Sequence, residues 1–114
     1  MEQILAELNK TPDVIGSCIV AEDGILVASD FNSEIDDETI GALISAVIRT
    51  SRQVVDKMDY GDVRSFMLEA DKNKLFFSSC KFGYMVVITG SESNLGLIRV
   101  EIKNAVKKLE NISI

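Results

Sequence analysis

The stretch Val14-Ile15-Gly16-Ser17-Cys18-Ile19-Val20-Ala21-Glu22-Asp23-Gly24-Ile25-Leu26-Val27-Ala28-Ser29 decides how this chain folds. Val14 to Ala21 is almost continuously apolar and rich in β-branched side chains. Such a run reads as a strand covered on both faces. Asp23-Gly24 then signals a tight turn whose two central positions both take positive φ. Ile25 to Ser29 returns as the partner strand of a hairpin.

Before the hairpin, Ile4, Leu5 and Leu8 share one face of a helix over residues 2–9, and Pro12 falls where that helix stops. After it, residues 36–58 carry the longest helical pattern. Ile40, Leu43, Ile44, Val47, Val54, Val55 and Met58 recur at three- and four-residue spacing as its apolar stripe. Asp36, Asp37 and Glu38 occupy the first turn, where carboxylates suit the positive helix end. Tyr60-Gly61 stops the helix. Three strands follow, over 63–70, 74–80 and 84–89, with turns at Asp71-Lys72-Asn73 and Phe82-Gly83. A last helix runs over 95–110, burying Leu95, Ile98, Ile102, Ala105, Val106 and Leu109 behind an Asn94 N-cap. The order is α-β-β-α-β-β-β-α. Short connections favour antiparallel neighbours, so the expected fold is α+β with a five-stranded antiparallel sheet. No repeat or linker interrupts the pattern, and residues 1–114 read as a single domain.

Hydrophobic residues make up 46% and charged residues 26%, which places the chain among globular proteins rather than disordered ones. Eighteen acidic against 12 basic residues give a formal charge of −6. That balance argues against nucleic acid or an anionic membrane as a partner, since both demand a cationic surface. The longest purely apolar run, Tyr84 to Ile88, is far too short to span a bilayer. Met1-Glu2-Gln3 is not a cationic signal-peptide start. Cys18 and Cys80 form no CxxC pair, and the two together suggest reduced thiols and a cytoplasmic location.

Chemistry-bearing patterns are missing. There is no histidine, hence no usual general base and no usual metal ligand. No GxxxxGK[ST] loop exists to cradle phosphate. Asp30, Asn32, Glu34 and Asp36 alternate like the start of a calcium loop, but Ile35 and Gly41 stand where glycine and glutamate belong. Asn111-Ile112-Ser113 spells a glycosylation sequon that a cytosolic chain would not use. Catalytic residues, metal and cofactor are therefore not expected, and the chain reads as a non-enzymatic interaction protein. Arg99, Lys103 and Lys107 repeat at i, i+4, i+8 beside Lys108 and read as a solvated face.

Two surfaces suggest self-association. Glu38, Gly41, Ala42, Ser45, Ala46, Arg49, Arg52 and Gln53 share the middle helix's second face. Small residues there predict close approach of a helix from another subunit; packing of Gly41 and Ala42 beneath a neighbouring loop is the alternative. In the strand over 63–70, Arg64, Phe66 and Leu68 alternate with a second set that is also partly apolar. Such a strand at a sheet edge would be sticky and could pair with its symmetry mate.

Taken together, these segments resemble the roadblock/LC7 family. The resemblance rests on the Val14–Ser29 hairpin, the long middle helix, the three-strand run and Asn94-Leu95-Gly96-Leu97-Ile98-Arg99. It implies a profilin-like sandwich with helices on both faces that homodimerises. Its middle helices would pack antiparallel through Gly41, Ala42, Ser45, Ala46 and Arg49, and its third strands would pair through Arg64, Phe66 and Leu68. The resemblance further implies a regulator or scaffold of a small Ras-like GTPase, like the bacterial gliding-type regulators of the MglB kind that stimulate hydrolysis. Arg49, Arg52, Gln53 and Asp56 would meet that partner. The chain ends at Ile114, four residues after Glu110, so no function that depends on a long C-terminal tail is expected. Two other roles are compatible with such a fold: a sensor with a small-molecule pocket near Phe77, Cys80 and Tyr84, and a dynein-light-chain-like adaptor that uses a free sheet edge.

Overall fold

Alternation of covered side chains along five short segments builds the centre of the molecule. The computed structural model describes residues 1–112; Ser113 of the sequon lies outside them. The elements are α1 (Glu2–Leu8), β1 (Val14–Val20), β2 (Leu26–Asp30), α2 (Asp37–Lys57), β3 (Ser65–Glu69), β4 (Asn73–Cys80), β5 (Gly83–Gly90) and α3 (Leu95–Glu110). The expected order holds throughout, and α3 has the expected bounds. The strands form one antiparallel sheet in the order β2-β1-β5-β4-β3, which leaves β2 and β3 as its edges.

Successive residues of a strand point to opposite faces, and here each face has its own core. Ile19, Ala28, Phe76, Met85 and Val87 meet Leu5 and Leu8 of α1 and Ile98, Ile102, Ala105 and Leu109 of α3. On the other face Cys18, Val20, Phe77, Tyr84 and Val86 meet Ile48 of α2. Helices therefore cover both faces, as a sandwich of this kind requires.

Capping sets where the long helices begin. The Asp36 carboxylate accepts the Thr39 N–H at 2.8 Å, and the Asn94 side-chain oxygen accepts the Leu97 N–H at 3.0 Å. Each satisfies a first-turn amide that no helical carbonyl can reach.

Two details of the hairpin depart from the sequence reading. The loop is three residues long, Glu22 to Gly24, closed by Ala21 N–H to Ile25 O and Gly24 N–H to Ala21 O, both 2.9 Å. Only Gly24 takes positive φ, at 91°, so Asp23 is not a left-handed turn residue. Instead the Asp23 carboxylate accepts the Ile25 N–H at 3.1 Å. Second, β1 is not covered along its whole length. Its register against β5 shifts between Val14 and Gly16, and Ile15 is left exposed.

Candidate interaction surface

Position on α2 follows from one close approach. Gly41 is buried, and a β-carbon there would overlap the carbonyl oxygen of Gly24. The helix therefore lies on the turn of its own hairpin. Ser45, one turn on, is also buried and faces Gly24. Gly41 follows the alternative reading of the small-residue face, packing beneath the hairpin turn, and Ser45 is buried beside it within the protomer. Ala42 and Arg49 are exposed and Ala46 is half-buried on the helix flank.

With the small face turned inward, much of the apolar stripe is turned out. Leu43 is 58% exposed, Val54 58% and Met58 56%. Ile44 and Val47, partly buried, connect this stripe to the core around Phe77. The hydropathy pattern identified these residues but not their destination.

The stripe has a neighbour on the same face of the sheet. Phe66 of β3 stacks on Phe77 of β4 with ring centroids 4.3 Å apart and planes 7° from parallel. Leu68, two residues on, shares that face and is 43% exposed opposite Leu75. β3 is an edge strand, which meets the condition under which its two-sided apolar pattern would be sticky, and Arg64 stands exposed just before it. Leu43, Val54 and Met58 on α2 and Leu68 on β3 are thus exposed apolar side chains, while Phe66 is partly buried against Phe77.

Charged groups occupy the other flank of α2. Arg52 meets Glu22 at 3.3 Å, both well exposed. Arg52 and Asp56 line a cavity of about 640 Å³ with Glu22, Asp62, Cys80 and Tyr84. Arg49 joins Arg52, Ser45 and Tyr84 around a smaller one of about 200 Å³. Gln53 is exposed and lines neither.

The three residues expected around a sensor pocket are not brought together. Cys80 and Tyr84 line the polar cavity, but Phe77 is 1% exposed and held by Phe66 and the core. The Tyr84 hydroxyl donates to the Val63 carbonyl at 2.7 Å, so it is already partnered. Burial pushes the Tyr84 and Cys80 groups up from their ordinary ranges and pushes the Cys18 thiol up to about 12, with Asp37 adding to it. A thiol held protonated is a poor nucleophile, which agrees with an inert core role for Cys18. No helix among the described residues is long and apolar enough to cross a membrane.

Comparison with known proteins gives this surface a family. Three uncharacterized proteins of Methanocaldococcus jannaschii are similar over nearly the whole chain. MJ1340 and MJ0310 are each 33% identical over 110 residues, covering 96% of both chains. Among solved structures, a Roadblock/LC7 domain from Streptomyces avermitilis superposes with a TM-score of 0.87 at 21% identity, covering 96% of this chain and 94% of that one. Myxococcus xanthus MglB superposes with a TM-score of 0.88 at 21% identity, covering 95% and 89%. Both likenesses establish the fold. Residues 1–89 match the Roadblock/LC7 domain, and with this sheet order and helix placement the chain belongs to the Roadblock/LC7 family.

Proposed function

We propose that two copies of this chain associate through the α2 stripe and the β3 edge, and that the dimer regulates or scaffolds a small Ras-like GTPase in the cytoplasm. The carrying observation is the exposed apolar side chains of Leu43, Val54 and Met58 along one face of α2 and of Leu68 on the β3 edge. Exposed apolar side chains grouped along one helix face mark an interaction site. Two α2 helices side by side would cover the stripes, and β3 pairing with its mate would remove the exposed edge. Membership in the Roadblock/LC7 family and the likeness to MglB support the GTPase as partner.

Arg49, Arg52, Gln53 and Asp56 lie on the flank of α2 that the stripe leaves free, by helical spacing. They are the residues offered to the GTPase. The protein has no chemistry of its own in this reading. It acts by binding one nucleotide state of the partner more tightly than the other.

Light scattering tests the dimer, whose interface should bury at least about 1,000 Å². The expected mass is that of two chains, falling to one for Leu43→Glu. Nucleotide hydrolysis by a Ras-like GTPase from the same genome, with and without this protein, tests the regulator. Unchanged hydrolysis together with equal binding to both nucleotide states would remove the GTPase role.

A further inference from the structure

Arg99 and Lys103 begin the basic stripe that reads as solvated in sequence. The structure places them on the rim of a groove of about 510 Å³ between α3 and the β3–β4 ribbon. Its floor is Met67, Phe76, Ile102 and Val106, all packed on the α3 side of the sheet. Arg64 adds a third cation, and no carboxylate lines the groove. That is a local reversal of sign in a chain with 18 acidic and 12 basic residues. Among the described residues none of the three cations has a carboxylate within 4.0 Å.

We propose that this groove docks an acidic amphipathic helix of a partner protein. Unpaired cations beside an apolar floor fit an occupant that brings carboxylates and apolar side chains together on one face. β3 is the sheet's edge, so the groove is bounded by α3 and open along the ribbon. From Arg99 to Val106, α3 spans about 10 Å, which matches roughly two turns of a docked helix. The groove lies on the sheet face opposite α2. The floor and the Arg99 and Lys103 rim come from one chain, so the site needs no second copy, although its open side is the β3 edge that the proposed dimer would also use.

The probe is a short designed helical peptide with leucines at i, i+4 and i+7 flanked by glutamates, titrated into the full ¹⁵N-labelled chain. Amide shifts are expected at Met67, Phe76, Ile102 and Val106. Binding should weaken at least about fivefold in Arg99→Glu/Lys103→Glu, the effect of reversing two exposed charge contacts. The same variant should keep wild-type mass and melting temperature. Arg99→Gln/Lys103→Gln should shift affinity in the same direction and guards against misfolding of the reversal. Equal binding of a peptide with lysines for glutamates would overturn the proposal. So would unchanged affinity in both variants, or shifts confined to α2. Binding to phosphatidylglycerol vesicles that the charge reversal abolishes, without binding of the acidic peptide, would reassign the groove to lipid and also overturn it.

Discussion

Gly41 of α2 lies against the carbonyl of Gly24, so close that a β-carbon on Gly41 would overlap that oxygen. This contact presses the middle helix onto its own hairpin and determines which helix face remains for other molecules. Gly24 takes part because it alone in the loop adopts positive φ.

Gly41→Ala therefore separates two effects of opposite sign. In an open helix the change would add about 1 kcal/mol of stability through propensity. Here the backbone oxygen cannot move aside as a flexible side chain would, and overpacking costs about 1–3 kcal/mol. Net destabilisation is expected in urea unfolding, with the same size at every protein concentration. A stabilised variant would show that the helix does not rest on the turn.

Leu43→Glu should behave in the opposite way. Leu43 is mostly exposed and contributes little to the protomer core. Association raises apparent stability by mass action. Wild-type melting temperature should then rise with concentration, and Leu43→Glu should remove that dependence while leaving the dilute melting temperature nearly unchanged. A concentration-independent wild-type melt would contradict the proposed dimer.

Cys18 sets an alkaline limit on stability. Its folded-state thiol is pushed up to about 12 by burial, against an ordinary value of 9.0. The folded state holds the proton more tightly than the unfolded chain does. The stability linked to that proton is complete below about pH 9 and is lost as pH rises toward 12. Denaturation between pH 8 and roughly pH 11 should show falling stability with pH. Cys18→Ala should flatten this slope without abolishing it, because Cys80 and Tyr84 are raised as well. An unchanged slope in the variant would place the titration elsewhere.

Tyr84→Phe tests what holds the segment between α2 and β3. Its hydroxyl is bonded to the Val63 carbonyl at 2.7 Å, just before β3. Losing that bond should cost about 1 kcal/mol. Amide exchange should accelerate most at Val63 and Arg64. Uniform acceleration across the sheet would mean that the hydroxyl supports the core as a whole.

Much of this molecule was written locally. The bounds of α3 follow from a 3.6-residue period and the Asn94 cap, which need no tertiary partner to be read. The Asp71-Lys72-Asn73 and Phe82-Gly83 signals separated three strands because turn chemistry is carried by a few adjacent residues. The two-sided apolar pattern of β3 was legible, but its edge position entered only as a condition and was set by the sheet order. The hairpin was legible too, although its loop closed with one left-handed residue rather than two.

The inward face of α2 was legible only as the alternative that packs Gly41 and Ala42 beneath a neighbouring loop; Gly41 lies there and Ala42 does not. Its sequence offers two candidates, a broad apolar stripe and a small-residue face, and hydropathy favours burying the first. The fold buries Gly41 and Ser45, because a helix can sit on a backbone turn only where side chains are absent or short. That choice needs the Gly24 loop and α2 to be in place together, 17 residues apart in the chain. Composition and periodicity thus determined the elements, because they depend on neighbouring residues alone, and the family followed from the resemblance of those segments. Tertiary structure decided which side of the middle helix is left for a partner, because that depends on how closely two distant backbone segments can approach.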